Sequence, residues 1–594
     1  MNRRELLIGA LAIPAAAVLR PQRHGAAHVL DEPSGVIRAS EIAPWKVNQA
    51  GYLPGAAKRA MLTLRPPAAA FELTTADSDT PVYRGRLAPP RRDEDSGDWV
   101  QEADFSAFQR GGRFRLRADG AAASFPFAIG AGVYEPVFRL AARFFYGQRC
   151  GTAVEMGGRF AAYHHPPCHL RAAYDSSSGR RGTNQDRGGW HDAGDYGRYV
   201  VNGGITTATL MWAAEMFPAA RRARLDIPES GAGAPDLLHE ARWNLQWMLS
   251  LQDRDGGVWQ KQTSRVFAPF VMPQDDRMIS YVIGTGEAPF KSTGATADLA
   301  AAAAIAARLW RPFDPAFARR CETAALAAWR WLRRFPDVTF RNPPGIHTGE
   351  YGDPHLGDER LWAAAEIWRA TGDEECHAYF REHYAPYAAQ LPRFSPPSWG
   401  EVAALGLWSY ALAGKSQGPR PDTAIAAAIE DATAAAADAL VERTAGNGYR
   451  IPLRARDYVW GSNGIAANAA MQLLIAHRLR RHPAYTETAL ETLHYLLGRN
   501  TFSLCYLTGA GSRAVQRPHH RPSVADGLAA PWPGMLAGGP NRWRQDAAMQ
   551  TFLPANLPPA RNYIDNHAAY SCNEVAINWN APLVFLLAAN LRES

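Results

Sequence analysis

The chain is poor in cysteine and has no run of one charge. Its six cysteines, at 150, 168, 321, 376, 505 and 572, lie far apart. That spacing excludes the dense disulfide framework of a small stapled domain, although individual disulfides stay open. No Lys/Arg-rich run accompanies the formal charge of +7, so nucleic acid is not an expected partner. After Val18 no stretch is long and apolar enough to span a bilayer, and no membrane is expected around the mature form.

What is present is a long, ordinary globular composition with many aromatics. The 594 residues, 47% hydrophobic and 20% charged, suggest a soluble protein of two or more domains. Its 18 Trp and 21 Tyr exceed simple core use and suit flat apolar ligand faces such as sugar rings. At the start, Arg3-Arg4 stands before an apolar run from Leu6 to Val18, too short for a mature anchor. Residues 1–30 therefore read as an export signal, the alternative being a frayed apolar terminus. The paired arginines point to the route that carries folded proteins. The mature chain is expected in the periplasm or secreted, as a monomer.

The pattern changes near Gly132. From 42 to 131 short alternating segments predominate: Phe71 to Thr75, Pro81 to Leu87, Phe114 to Ala118 and Phe125 to Ile129, with a turn at Asp119-Gly120. Their spacing predicts an immunoglobulin-like β-sandwich, with the charged, Pro-rich 89–97 stretch as a long loop. From 132 to 594 helical spacing takes over. Examples are Val137, Leu140, Ala141, Phe144 and Phe145, then 296–310, 321–334, 361–370, 402–413, 423–444, 464–478 and 486–497. Strand signals are nearly absent there, and long Gly/Pro/Trp-rich connections such as 501–563 separate the helices. That pattern predicts a toroid of helical hairpins whose loops build a cleft. The stretch Ile129 to Pro136 is too short and apolar for a flexible linker, so the two parts should pack together.

Three segments carry chemistry. In Gly188-Gly189-Trp190-His191-Asp192-Ala193-Gly194-Asp195-Tyr196-Gly197, two carboxylates separated by Ala-Gly can converge on one water. Taken alone, the motif also fits calcium binding or helix capping. The segment from Tyr506 to Pro522 includes His519, His520 and Arg521, which offer donors to sugar hydroxyls; a packed histidine pair is the plainer reading. In the third, Tyr563 to Pro582, Glu574 lies where a loop meets an apolar helix. A carboxyl there can be partly desolvated and stay protonated, or simply stabilise a helix start.

Together these segments resemble family 9 glycoside hydrolases, the cellulase family that includes bacterial endoglucanases. The resemblance covers nearly the whole mature chain. The segments 45–54, 270–276 and 460–463 look like the subgroup with an immunoglobulin-like domain before its catalytic domain. It implies an (α/α)6 barrel, an all-α catalytic domain, over 132–594. The implied activity is inverting hydrolysis of internal β-1,4-glucosidic bonds, that of an endo-β-1,4-glucanase, with Asp195 as base, Asp192 holding the water and Glu574 as acid. By the same resemblance His519 and Arg521 contact the sugar and Asp565 supports that subsite. Trp460 is a weaker candidate for stacking on glucose.

Cys150, Cys168, His169 and His191 supply two sulfurs and two nitrogens, a sound tetrahedral zinc set. The spacing of the two cysteines and the histidine after Cys168 match the zinc site of the resembling subgroup. A Cys150–Cys168 disulfide is the alternative, and His164 or His165 could displace one ligand. Zinc beside Asp192 would anchor the catalytic loop without doing chemistry. The resemblance also implies calcium, with ligands unassigned. An exo-acting member on cellodextrins or glucosamine-containing oligosaccharides stays open, as does a silent carbohydrate-binding protein. The trio Asp192, Asp195 and Glu574 argues against the silent reading. With no cellulose-binding module or Ser/Thr/Pro linker evident, soluble glucan is a better expectation than crystalline cellulose.

Overall fold

Alternation in the first third of the chain places one face of each strand in a core. The computed structural model describes residues 35–184, 187–393, 396–415 and 418–592, so the expected export signal over 1–30 lies outside the described residues. The strands are β1 (Trp45–Lys46), β2 (Arg59–Leu62), β3 (Ala70–Thr75), β4 (Pro81–Arg86), β5 (Arg91–Arg92), β6 (Trp99–Asp104), β7 (Gly112–Arg117) and β8 (Phe127–Ile129). They pair antiparallel in two sheets, β1-β2-β6-β5 and β4-β3-β7-β8. Phe71, Leu73, Phe114 and Leu116 point into the space between them and are buried, while the arginines flanking Phe114 and Leu116 are less buried. This is the immunoglobulin-like sandwich that the alternation predicts.

Twelve long helices follow among the described residues. They are α1 (Glu135–Gly147), α2 (Val200–Met216), α3 (Asp236–Ser250), α4 (Thr293–Trp310), α5 (Pro315–Arg334), α6 (Gly357–Thr371), α7 (Glu374–Gln390), α8 (Ala403–Ala413), α9 (Thr423–Gly446), α10 (Ser462–Leu479), α11 (Pro483–Leu496) and α12 (Ile577–Ala588). The even-numbered six form an inner ring in which each touches the next and α12 returns to α2. The odd-numbered six pack outside them, giving an (α/α)6 barrel.

Sequence decides which helix goes where. In α2 only Glu215 escapes full burial, and every residue of α8 is buried, so these helices are enclosed on all faces. Small residues let them approach closely: a Cβ on Gly406 would stand 2.9 Å from the Trp362 backbone. Outer helix α5 instead buries one stripe, including Phe317, Cys321, Ala328 and Trp331, and leaves its arginines outside.

Two expectations need correction. The catalytic part is not free of strands: residues 172–174, 280–283, 261–263 and 198–199 form a four-stranded sheet at the mouth. Each strand is only two to four residues long, too short to show a period. The connection 501–563 is also not structureless. It holds short helices at Arg521–Ala525 and Ala547–Phe552, pairs with itself at Leu507–Leu536, and pairs through Ala537 with Val575 just before α12.

The sandwich packs on the barrel through buried polar contacts. Tyr134 donates to the Gly51 carbonyl at 3.0 Å, and Asn48 meets His494 at 2.9 Å. The 89–97 stretch is a docking loop, in which Asp93 accepts from the Gly448 amide at 3.0 Å and Arg91 donates to the Ala445 carbonyl at 3.0 Å. Deeper in, Glu491 of α11 receives Arg59 of β2 at 2.6 Å and Arg450 at 3.0 Å, and pairs with Arg499. Burial alone would raise this carboxyl. Arg499, with His494, Arg450 and Arg59, outweighs burial and brings it down to about 2 from an ordinary 4.5.

Glu491→Gln removes the charge on which three arginines converge and should cost about 3–5 kcal/mol, the penalty of breaking a buried pair. Because the folded pKa is depressed, the carboxylate stabilises fully above about pH 4.5 and loses that contribution as pH falls toward 2. Thermal melts should therefore show a clear gap between variant and parent at pH 7, narrowing below pH 4.5. A gap independent of pH would contradict the assignment.

Candidate active site

All three carboxylates lie just before the N-terminal ends of inner helices: Asp192 and Asp195 before α2, Glu574 before α12. Tyr351 precedes α6 and Trp460 precedes α10, so the mouth is built from loops on one end of the ring. Main-chain hydrogen bonds join those loops. The Ile577 amide, first in α12, donates to the Asp192 carbonyl at 2.9 Å. The Arg521 amide donates to the Gly194 carbonyl at 3.1 Å, and the His519 amide to the Asn573 carbonyl at 2.8 Å.

The carboxylates sit in unequal surroundings. Asp192 has both oxygens taken, Oδ1 by Asn202 at 2.6 Å and Oδ2 by Tyr351 at 2.5 Å. Burial, then the neighbouring Asp195, pushes it up to about 7. Asp195 accepts only on Oδ2, from the Gly197 amide at 3.0 Å and the Tyr199 hydroxyl at 3.2 Å. Among the described residues its Oδ1 has no protein partner. For Glu574, burial and then Asp195 hold the carboxyl well above its ordinary range, with Arg521 opposing. A protonated acid thus faces a carboxylate with one free oxygen, which suits protonating one atom while activating a water.

His519 donates Nδ1–H to the His567 carbonyl at 2.6 Å, and burial lowers it to about 4, so the ring is neutral with Nε2 available as an acceptor. Arg521 spends Nε on the Ala268 carbonyl and Nη1 on the Gly194 carbonyl, both at 2.7 Å. Asp565 stands behind this loop. Its oxygens accept from the Gln516 and Arg517 amides at 2.7 and 2.9 Å and from Asn573 at 3.1 Å. Trp460 is 40% exposed beside Tyr570, whose ring lies 5.8 Å from His519, so it sits near that histidine and reaches solvent.

Cys150, Cys168, His169 and His191 come together, with one ligand atom from each lying within 4.8 Å of the others. All six cysteines are free thiols, so the disulfide alternative falls. His165 turns Nδ1 to the Pro166 carbonyl and its ring to Trp532, and neither it nor His164 joins the cluster. Burial raises the Cys150 thiol, but the hydrogen bond with Cys168, then Arg198 and the histidines, brings it well below its usual value. A buried set of two sulfurs and two imidazoles fits a tetrahedral metal. Gln148 braces the loop that carries His191 and Asp192, donating to the His191 and Ala193 carbonyls at 3.0 and 2.9 Å.

Sequence reasoning missed Tyr199, Asn202 and Tyr351. Tyr199 and Asn202 sit within ten residues of the motif and could have been suspected as partners. Nothing marked Tyr351, which lies 159 residues from Asp192 and takes a left-handed φ of 48°.

Gly194 is where the catalytic loops touch: a Cβ there would stand 1.9 Å from the His519 carbonyl oxygen. Gly194→Ala should therefore keep its helical circular dichroism but lose about a hundredfold in rate, as misplacements near 1 Å do. Unchanged kinetics would show that the junction gives way freely.

Comparison with known proteins places the chain in one family. The model of glycosyl hydrolase family 9 matches residues 134–587, and that of the cellulase N-terminal ig-like domain matches 42–123. Endoglucanase D of Acetivibrio thermocellus is 35% identical over 547 residues, covering 91% of this chain and 82% of the relative. A cellodextrinase of Butyrivibrio fibrisolvens is 34% identical, covering 92% and 99%. The crystal structure of a family 9 endoglucanase, J30, superposes with a TM-score of 0.84 at 36% identity, covering 91% of this chain and all of that one. With its sandwich, its helical barrel and these matches, the chain belongs to glycosyl hydrolase family 9.

Proposed function

We propose that the chain is an inverting endo-β-1,4-glucanase acting on internal bonds of soluble cellulose-type glucans. The unequal carboxylates carry this reading. A water held at the free Oδ1 of Asp195 gives up a proton to that oxygen as its own oxygen bonds the anomeric carbon. Glu574 passes its proton to the glycosidic oxygen on the opposite face, and that carbon–oxygen bond breaks. Asp192, with both oxygens bonded, holds the water and its surroundings in register. His519 Nε2 accepts from a sugar hydroxyl, Arg521 donates to another, and Asp565 keeps their loop in place. Trp460 offers a ring face to a glucose unit near the centre.

The similarity to Endoglucanase D supports internal cleavage, and that to the cellodextrinase motivates the exo-acting alternative. Viscosity of carboxymethylcellulose separates them, since internal cuts lower it quickly per reducing end released. The paired arginines and apolar run at the start of the sequence support export.

The Cys/His cluster is proposed to hold a structural zinc. When bound, it supplies rigidity to the loop carrying Asp192 and Asp195 and no bond-making chemistry. Calcium fits a second place. Asp298, buried near the mouth-side end of α4, has both carboxylate oxygens without a partner among the described residues, and Glu359, buried near that of α6, has only the neighbouring carboxyl of Asp358 against it. Burial, with Asp358 and Asp353 nearby, holds both carboxyls well above their ordinary range. An all-oxygen set that gains from neutralisation suits a hard cation.

Glu574→Gln should slow natural glucans by about a hundred- to ten-thousandfold yet spare substrates with activated aryl leaving groups, which need less acid help. Asp195→Asn should fail on both kinds alike, while Asp192→Asn should be milder. If Asp192→Asn proves the worse, base and helper exchange roles. Elemental analysis should find about one zinc per chain, and Cys168→Ser should lower stability before activity. Metal-free protein of full stability would remove the zinc reading.

A further inference from the structure

The Cys/His cluster is joined to the substrate loop through one carboxylate outside it. His169 points Nδ1 at the cluster, 3.3 Å from His191 Nε2, and turns Nε2 away to Asp276 Oδ2 at 3.2 Å. Both side chains are buried, 5% and 4% exposed, so solvent and salt screen the pair little. The other oxygen of Asp276 accepts from the Met278 amide at 2.9 Å, which fixes the carboxylate. A ring N–H given to a carboxylate sets the tautomer, aims the remaining nitrogen at a metal and raises its basicity.

Asp276 also ends a segment that reaches the sugar-binding groups. At the near end, Tyr196 packs 4.9 Å from both His169 and His191 and donates its hydroxyl to the Val271 carbonyl at 2.5 Å. At the far end, the Ala268 carbonyl accepts Arg521 Nε at 2.7 Å. Phe267 and Phe270 flank the guanidinium at 5.7 and 5.5 Å, and Phe270 meets the His519 ring edge-on at 5.2 Å. Segment 268–276 thus touches a cluster histidine at one end and Arg521 and His519 at the other.

We propose that Asp276 is a positioning residue that orients His169 for the metal and fixes segment 268–276, so that one carboxylate governs both zinc retention and the placement of Arg521 and His519. The proposal rests on the zinc reading above. It separates two effects that a merely structural aspartate would not couple: the rate of metal loss and the affinity for sugar.

The test compares zinc-loaded parent, Asp276→Ala and Asp276→Asn. Zinc release to excess EDTA is followed by elemental analysis, and kcat and KM are measured on cellopentaose. Asp276→Ala should release zinc about 10- to 100-fold faster, the usual effect of losing a ligand's hydrogen-bond partner. Its KM should rise by a larger factor than its kcat falls. Asp276→Asn should lie between, because its amide oxygen still accepts from His169. Unchanged zinc release in Asp276→Ala overturns the proposal, and faster release with unchanged KM breaks the link to Arg521. If Asp276→Ala does not fold, parent-like release from Asp276→Asn overturns it instead. A parent protein that holds no zinc even after incubation with zinc salt fails at the underlying reading, a separate result.

Discussion

Three loops from distant parts of the chain meet through main-chain hydrogen bonds, and the chemistry of the molecule depends on that junction. The Asp192 carbonyl takes the first amide of the last inner helix, the Gly194 carbonyl takes the Arg521 amide, and the Asn573 carbonyl takes the His519 amide. Backbone contacts of this kind fix position without depending on side-chain rotamers. They also explain why glycine stands at 194, where any Cβ would strike the neighbouring loop. The ring of inner helices is the frame that presents these loop ends together on one mouth.

Placing three acids in one buried cleft would be unfavourable if all were charged. The site distributes protons among them. Glu574, with burial and Asp195 both acting to raise it, stays neutral, while Asp192 is held up to about 7 yet receives two strong hydrogen bonds. Asp195 has the more open position and keeps one oxygen for a ligand. Environment, more than residue type, sets these three similar carboxyls apart and suits them to the three roles proposed. The Cys/His cluster and Gln148 brace the same loop from behind, so the acidic motif is held on both sides.

Much of this is legible in the sequence. The alternating strands around Phe71 and Phe114 and the Ala-rich helices show in the period alone, because each buries one clear face or runs long. Helix α2 does not show: its Gly203-Gly204 pair and its threonines argue against a helix locally, and burial on every side overrides that preference. Outer helix α7 is hidden for the opposite reason, burying only Cys376, Phe380 and Ala388. At the site, Asp192, Asp195, Glu574 and the Cys/His set stand out because their motifs are long and ordered. Tyr351 carries no such signal, and Asp276 closes the marked segment 270–276 without any sign of its partner, since their partners lie 159 and 107 residues away. The resemblance gives Asp565 a supporting place at the subsite, and its hydrogen bonds to the Gln516 and Arg517 amides show how it holds the loop.

The central claim is that Asp195 activates a water directly and forms no bond to the sugar. Proton NMR of the first products from a β-1,4-linked oligosaccharide such as cellopentaose tests it most directly. Direct attack by water from the face opposite Glu574 predicts that the α-anomer appears first and only later equilibrates. An initial β-anomer would mean a covalent glycosyl intermediate, and the roles assigned to Asp192 and Asp195 would be wrong.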